Sequence, residues 1–345
     1  MKSLVIHGAG DLRIEDRSIE EPGQGQVRLR LERGGICGSD LHYFNHGGFG
    51  SVRLREPMIL GHEVAGTIDA VGPDVTDLSI GQLVAVSPSR PCRSCEHCLR
   101  GTLNHCQNMA FYGSAMPFPH VQGAFRQVLV ADATQCVVAD GLTPAQAAMA
   151  EPLAVVLHAA KQAGDLLGQR VLITGCGPIG CLAIMVARRA GAAEIIATDL
   201  SAFTLAKAKE AGADITVNIA DDPSGLTPYE AQKGQIDVHF ECSGAAPALA
   251  SGLAALRPRG VLVQLGLGGD MSVPMMALTA KEITLRGSFR FHPEFETGVT
   301  MMRSGLIDPS SLITQTMPLS SANDAFSLAN DRTRAMKVHL DFASA

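Results

Sequence analysis

One glycine-rich turn constrains the fold of this chain more than any other feature. Residues 175–180 read Gly-Cys-Gly-Pro-Ile-Gly, which matches the pattern G-x-G-x-x-G. The turn follows an apolar strand predicted at 170–174 and opens a predicted helix, and Asp199 ends the next predicted strand. In that context the glycines permit a tight turn and a close approach to a pyrophosphate at the helix N-terminus. The sequence therefore predicts a parallel sheet that binds a dinucleotide.

Asp199 indicates which dinucleotide to expect. Its carboxylate would hydrogen-bond the ribose hydroxyls and repel a 2′-phosphate, which favours NAD over NADP. The alternative is a glycine turn and a capping aspartate in a sheet without a cofactor. The candidate cofactor-binding residues here are Gly175, Gly177, Pro178, Ile179, Gly180 and Asp199.

The chain changes character along its length, and an α/β fold is expected. Residues 1–153 carry short strands, such as the alternating run at 27–31, and predict a β-rich lobe. Residues 154–289 alternate strands with helices and predict a doubly wound parallel sheet. Residues 290–345 are expected to complete the first lobe. The strands predicted in the second region lie at 170–174, 194–199, 236–241 and 261–265.

Composition excludes several classes of function. The 345 residues include 28 basic and 34 acidic side chains, a formal charge of −6, so nothing suggests a surface for nucleic acid. No tryptophan is present, which argues against base stacking. The N-terminus lacks a basic segment followed by an apolar one, and no apolar stretch is long enough for a bilayer. We therefore expect no nucleic-acid or membrane partner and a cytoplasmic location.

Four of the nine cysteines lie within one short segment. Cys92, Cys95, Cys98 and Cys106 could supply four thiolates to a closed tetrahedral zinc site, which would stabilise the loop. The alternative is a set of free surface thiols. His97 and His105 are expected to be bystanders, since four thiolates complete the shell.

A second set of metal ligands is spread over the first lobe. Cys37, His62 and Glu63 offer a thiolate, an imidazole and a carboxylate, which suit a catalytic zinc with an open position. Glu151 lies in an apolar stretch, and a buried acid requires a partner. Taken singly, these residues could be a core cysteine, a satisfied histidine and a helix cap.

The segment from Gly61 to Val75 fits the pattern G-H-E-x2-G-x5-G-x2-V at every fixed position. With the cysteine loop and the glycine turn, it resembles the zinc-containing medium-chain alcohol dehydrogenase family. That resemblance covers essentially the whole chain. It implies a GroES-like catalytic domain and a Rossmann domain, one catalytic and one structural zinc per chain, and a homo-oligomer.

Within the family, Glu151-Pro-Leu and the segment 37–43 are similar to the sorbitol dehydrogenase branch, in which a carboxylate replaces one zinc thiolate. Members differ over which carboxylate contacts zinc, so Glu63 and Glu151 are both retained as metal-binding and catalytic candidates. Segments 87–92, 111–116, 118–123 and 285–291 are similar to members that act on sugar acids. The expected reaction is oxidation of a secondary hydroxyl of a sugar acid, with a neutral polyol as the alternative substrate. A non-catalytic relative that binds NAD is the alternative from another class.

The resemblance also implies roles for other residues. Ser39 and His42 match a proton relay, although they could be a capping serine and an exposed histidine. Arg290 is the first candidate to bind a substrate carboxylate. Tyr43, Ser114 and His120 are weaker pocket candidates that could equally be structural donors. Thr204 stands where the branch usually has an arginine, which could loosen the discrimination against NADP. The remaining candidate cofactor contacts are Leu265, Gly266, Leu267, Ser288 and Phe289.

Overall fold

The structure is a computed structural model that describes residues 1–344. It contains two compact units. Unit 1 comprises Met1–Glu151, Phe295–Asp331 and the last stretch from Lys337. Unit 2 comprises Pro152–Glu294 and Arg332–Met336.

The elements are given in chain order. The first part of the chain forms β1 Lys2–Gly8, β2 Asp11–Asp16, β3 Gln26–Gly35, α1 Gly38–His46, β4 Gly48–Phe49, β5 Val52–Arg53, β6 Met58–Ile59, β7 Glu63–Val71, β8 Leu83–Val86, β9 Ser89–Arg90, α2 Glu96–Leu99, β10 Ala110–Phe111, β11 Val128–Asp132, β12 Cys136–Val138, α3 Pro144–Ala148 and α4 Ala150–Ala163. The middle part forms β13 Arg170–Thr174, α5 Pro178–Arg189, β14 Glu194–Asp199, α6 Ala202–Glu210, β15 Ile215–Asn218, β16 Ile236–Glu241, α7 Ala246–Ala255, β17 Leu256–Gln264, α8 Met275–Ala280 and β18 Thr284–Gly287. The last part forms α9 Glu294–Arg303, β19 Ile313–Pro318, α10 Ala322–Asn330 and β20 Lys337–Asp341.

A seven-stranded sheet forms the centre of unit 1. Its strand order is β12-β8-β7-β3-β20-β19, and β11 also pairs with β3. Strand β3 buries Val27, Leu29 and Leu31 while the arginines between them point the other way, as the alternating sequence predicts. Strand β20 pairs antiparallel with the end of β3, so residues near 337 lie beside residues near 35.

Unit 2 contains a six-stranded sheet in which every pairing is parallel. The strand order is β15-β14-β13-β16-β17-β18, so the sheet is doubly wound and its order reverses between β13 and β16. Ligands of such sheets bind at the carboxyl ends of the strands at this reversal. The predicted strands at 170–174, 194–199 and 236–241 coincide with β13, β14 and β16.

The strand predicted at 261–265 is wrong at its start. Strand β17 begins at Leu256, which pairs with Ile236, and it continues through Pro258 and Gly260. Arg259 adopts a positive φ of 63°, and the pairing register shifts in the same region. A proline and a glycine normally interrupt a strand, so the sequence pattern hid this irregular first half.

Among residues 1–344, no helix combines the length and the apolar character that a membrane crossing requires.

Candidate metal centres and cofactor site

The four cysteines of the 92–106 segment converge on one point. Their sulfur atoms all lie within 4.8 Å of one another, and the Sγ atoms of Cys95 and Cys98 are 3.5 Å apart. The backbone N–H of Cys92 donates to Cys106 Sγ at 3.2 Å, and that of Cys95 donates to Cys92 Sγ at 3.4 Å. Hydrogen bonds from Ser94 lower the pKa of Cys92 to about 5, which favours the thiolate. Four converging sulfurs fit a tetrahedral metal ion.

A second group of ligands lies where β3 meets β7. The ligand atoms of Cys37, His62 and Glu63 all lie within 4.8 Å of one another. Cys37 precedes α1, and Glu63, the first residue of β7, pairs with Gly35 of β3. A Cβ atom at Gly35 would lie 2.1 Å from Glu63 Oε2, so only glycine leaves room for this carboxylate.

The electrostatics of this group favour a cation. Desolvation and the Glu63 carboxylate raise the pKa of the Cys37 thiol to about 11. Glu151, at the start of α4, is buried, and desolvation raises its pKa to about 8. The charges of His62, Glu63 and Cys37 act on Glu151, which places it in the same environment. A sulfur, a nitrogen and an oxygen donor beside a second buried carboxyl group fit a zinc ion.

Two residues that the sequence analysis missed complete this environment. Lys337 on β20 donates to both oxygens of Glu63, at 2.8 and 2.7 Å, and to the carbonyl of Ile36 at 3.2 Å. Burial alone would lower the pKa of Lys337, but the Glu63 carboxylate outweighs it and raises the pKa. The available signal was a lysine at the start of β20, directly before the apolar residue Val338.

Asp40 is the second missed residue, and it is fully buried. Its carboxylate accepts from the backbone N–H of Cys37 at 3.0 Å and of Gly61 at 3.1 Å. It also faces His62 Nδ1 at 3.9 Å. Asp40 therefore ties together the two segments that carry Cys37 and His62, and its negative charge lies near the imidazole. Its position three residues after Cys37, as in a capping box, was the sequence signal.

Helix α1 carries Ser39, His42 and Tyr43. His42 is partly buried. Desolvation, and to a smaller extent the charge of His46, lower the pKa of its imidazole, which favours the neutral ring near pH 7. Its ring centroid lies 5.8 Å from that of Phe49. Tyr43 is buried, and its hydroxyl accepts the backbone N–H of Ala115 at 3.0 Å, which is a structural contact.

Ser114 and His120 also make contacts within the protein. Ser114 Oγ accepts the N–H of Met116 at 3.3 Å. His120 donates from Nδ1 to the carbonyl of Pro117 at 2.9 Å and accepts the N–H of Arg55 at Nε2, also at 2.9 Å. Both ring nitrogens of His120 therefore tie loops together.

The glycine turn lies between β13 and α5 in unit 2. Gly175 has a φ of 85°, which favours glycine. A Cβ atom at Gly180 would lie 1.9 Å from the carbonyl oxygen of Gly175, so the turn requires glycine at both places. Gly177 caps α5, and Pro178 is its first residue. Ile179 is the second residue of the helix. This cradle fits a pyrophosphate group at the helix N-terminus.

Asp199 ends β14 beside the turn. Its carboxylate accepts backbone N–H groups from Cys176 at 2.6 Å, Leu200 at 2.7 Å and Ser201 at 3.0 Å. These bonds hold an acid at the place where a dinucleotide presents its adenosine ribose. Thr204 is buried in the first turn of α6 and donates to the Ser201 carbonyl at 2.9 Å.

The other candidate cofactor residues follow β17 and β18. The N–H groups of Leu265 and Gly266 both donate to the Glu241 carbonyl at 2.9 Å. Leu267 and Phe289 are exposed, and Ser288 N donates to Gln264 O at 3.0 Å. The guanidinium carbon of Arg290 lies 5.0 Å from the ring centroid of Phe289.

Comparison with known proteins identifies the family. The model of the alcohol dehydrogenase GroES-like domain matches residues 23–141, and that of the zinc-binding dehydrogenases matches residues 178–304. The chain is 44% identical to L-idonate 5-dehydrogenase (NAD(P)(+)) of Escherichia coli K12, over 99% of this chain and 98% of that protein. This protein is a zinc-binding alcohol dehydrogenase. The family, the GroES-like and Rossmann fold class and the enzymatic character expected from the sequence are confirmed.

Other relatives of this dehydrogenase are similar over most of its length. Human sorbitol dehydrogenase is 38% identical over 94% of this chain and 91% of that protein. The crystal structure of L-idonate 5-dehydrogenase from E. coli has a TM-score of 0.95 at 43% identity and covers 99% of this chain and 97% of that one. An E. coli CFT073 dehydrogenase complexed with NADH has a TM-score of 0.89 at 29% identity and covers 99% of each chain.

Proposed function

We propose that this enzyme oxidises one secondary hydroxyl of L-idonate to give 5-keto-D-gluconate, and catalyses the reverse reaction. The alcohol loses a hydride to NAD and a proton to water, which yields the ketone, NADH and H⁺. The observation that supports this substrate most strongly is the 44% identity to L-idonate 5-dehydrogenase over 99% of the chain. The 38% identity to sorbitol dehydrogenases keeps a neutral polyol as the second candidate.

The proposed reaction needs a zinc ion bound by the ligand group that includes Cys37, His62 and Glu63. When bound, zinc acts as a Lewis acid that favours the alkoxide form of the substrate hydroxyl. Cys37 and His62 would be constant ligands. Glu63 is paired with Lys337, so we propose that Glu151 supplies or completes the oxygen ligation and that Glu63 is the alternative. We also propose a second, structural zinc on the four-cysteine loop.

Ser39 and His42 would move the substrate proton. Both lie on α1, which begins directly after Cys37. The neutral imidazole of His42 can accept a proton and release it to solvent, because it remains partly exposed. Tyr43, Ser114 and His120 would shape the wall that faces the substrate, while their polar atoms bond neighbouring segments of the protein.

Arg290 would bind the carboxylate of the sugar acid. Its backbone has a φ of 53°, a conformation that non-glycine residues rarely adopt and that functional sites often retain. We expect Arg290→Leu to raise KM for L-idonate by at least about tenfold, because a bidentate charged contact is lost, and to raise KM for sorbitol much less. Equal losses on both substrates would contradict this role.

NAD is the proposed cofactor, bound by the glycine turn and Asp199, with Leu265, Gly266, Leu267, Ser288 and Phe289 beside its other half. The Asp199 carboxylate would repel the 2′-phosphate of NADP.

Residues 1–153 together with 290–345 are proposed as the catalytic domain, and residues 154–289 as the NAD-binding domain. The proposed location of the enzyme is the cytoplasm.

We propose a homo-oligomer that forms through the edge strand β18. All four residues of β18 are exposed, and β18 ends the sheet of unit 2. Such an edge can pair with a second copy of itself. We expect Leu285→Glu to shift the protein to smaller species in size-exclusion chromatography with light scattering. Leu167→Glu, also on an exposed leucine of unit 2, is the control and should leave the oligomer intact.

The decisive experiment follows NADH at 340 nm with zinc-loaded protein. L-idonate, D-gluconate, sorbitol and xylitol are offered in parallel, each with NAD and with NADP. Turnover of L-idonate well above that of the polyols supports the proposal. A preference for sorbitol or xylitol would replace L-idonate by a polyol and would remove the reason for a carboxylate contact at Arg290.

A further inference from the structure

A buried carboxylate at the end of β16 has no role in the proposed chemistry. Glu241 is fully buried. Its carboxylate accepts the N–H of Ser243 at 2.8 Å, the N–H of Gly244 at 2.9 Å and the side-chain amide of Gln264 at 2.6 Å. The Ser243 hydroxyl also donates to it. These donors belong to two separate segments, one after β16 and one at the end of β17.

The backbone of Glu241 connects the same two segments. Its carbonyl accepts the N–H groups of Leu265 and Gly266, and Gln264 also donates to the carbonyl of Gly266 at 3.0 Å. A Cβ atom at Gly266 would lie 2.1 Å from Gly244 N and 2.7 Å from Glu241 Oε2. The segments 242–245 and 264–268 are thus in direct contact, with Glu241 beneath them.

These segments adjoin the glycine turn. A Cβ atom at Gly175 would lie 2.7 Å from the backbone nitrogen of Ser243, and the Thr174 hydroxyl donates to Glu241 at 3.4 Å. In a sheet of this order, a dinucleotide lies across the reversal between β13 and β16. Asp199 marks the adenosine half on the β14 side, so the nicotinamide half falls over β16 and β17.

We propose that Glu241 is a positioning residue for the nicotinamide half of the cofactor. Its carboxylate holds the segments after β16 and β17 in the arrangement that receives this half, without contact to the reacting atoms. A glutamine has the same shape, but its NH₂ group would face N–H donors in place of an acceptor oxygen. The inference rests on the proposed use of NAD.

The test compares two ligands by calorimetry on the full-length, zinc-loaded protein. NAD occupies both halves of the site, whereas AMP occupies only the adenosine half. We expect Glu241→Gln to raise the Kd of NAD by about tenfold, since hydrogen bonds to an ionised group are lost, and to change the Kd of AMP by less than about twofold.

A matched control lies on the same strand. Asp237 binds the backbone N–H of Arg170 at 2.7 Å at the opposite end of β16. Asp237→Asn removes an equal charge and should leave both dissociation constants unchanged. Gln264→Met removes only the side-chain bond between Glu241 and the second segment. It should weaken NAD more than AMP, by a smaller factor than Glu241→Gln, and it provides the test if Glu241→Gln does not fold.

Three results separate the possible failures. If Glu241→Gln and Gln264→Met weaken AMP as much as NAD, the role is general stability and the proposal is overturned. If Asp237→Asn also raises the Kd of NAD more than that of AMP, the effect is not specific to the carboxyl ends of the strands. The proposal is then again overturned. If the unaltered protein binds neither AMP nor NAD, the proposed function fails instead.

Discussion

At the scale of single residues, Lys337 and Glu63 form an ion pair that is almost completely buried. The side chains are 3% and 1% exposed, and the ammonium bonds both carboxylate oxygens. Removal of one partner from a buried pair leaves a charge without compensation, which costs far more than loss of a surface pair. The same geometry holds Glu63 beside Cys37 and His62, so loss of the pair would disturb the candidate metal site.

We expect Lys337→Met to lower the free energy of unfolding of the metal-free protein by about 3–5 kcal/mol. Urea denaturation at pH 7 measures this. Lys2→Met removes an exposed pair with Asp16 and should cost at most about 1 kcal/mol. Zinc should reduce the loss in Lys337→Met, because the ion would compensate the Glu63 carboxylate. An equal loss with and without zinc would contradict the link.

The sequence predicted part of this site and could not predict the rest. Cys37, His62 and Glu63 stand out because their residue types suit zinc, and the structure brings their ligand atoms together. Lys337 is 274 residues from Glu63, and only the pairing of β20 with β3 brings the two together. Such distant pairing depends on the whole sheet, which no local pattern reveals.

At the scale of elements, the 92–106 segment is notable for its lack of regular structure. It contains α2, which has four residues, and a three-residue 3₁₀ turn at Leu103–His105. A helix this short has little stability of its own. The convergence of four sulfurs is therefore the main feature that can order this loop, and a metal ion would supply the bonds.

We expect Cys98→Ser to lower the zinc content from about two ions per chain to about one. Elemental analysis after gel filtration measures this. Cys136→Ser changes a partly buried thiol outside the cluster and should retain both ions. A content of two ions in Cys98→Ser would show that this loop holds no zinc.

Element boundaries show where sequence patterns fail. The strands β13, β14 and β16 were predicted at their observed limits, because continuous apolar runs mark buried parallel strands. The start of β17 was missed because Pro258 and Gly260 imitate a turn. There the pairing with β16 overrides the local preference of the chain, through the unusual backbone at Arg259.

At the scale of the whole molecule, a buried histidine contributes to the response to acid. His239 on β16 is fully buried, its Nε2 contacts the Thr174 hydroxyl at 2.9 Å, and desolvation lowers its pKa to about 3. The same Thr174 hydroxyl also contacts the carboxylate of Glu241, at 3.4 Å. The folded pKa lies below the unfolded value of 6.5, so the unfolded chain binds more protons between these limits. Stability is therefore lost as the pH falls from 6.5 towards 3.

We expect His239→Gln to reduce the pH dependence of the unfolding free energy by about 1.4 kcal/mol per pH unit between pH 6 and 4. Urea titrations at several pH values measure the slope. Zinc release changes the slope equally in the unaltered protein and in His239→Gln, so it cancels in the difference between the two slopes. His46→Gln, on an exposed histidine, should leave the slope unchanged. An unaltered slope in His239→Gln would show that this ring is protonated in the folded protein.

The Lys337–Glu63 pair has a consequence for protein synthesis. The ribosome releases Glu63 long before Lys337, since 274 residues separate the two. Until β20 emerges, the nascent chain carries the Cys37, His62 and Glu63 cluster without its ammonium partner, and β3 lacks its neighbour in the sheet. A truncated chain that stops before residue 337 would thus lack the ion-pair partner of Glu63 and the strand that pairs with the end of β3.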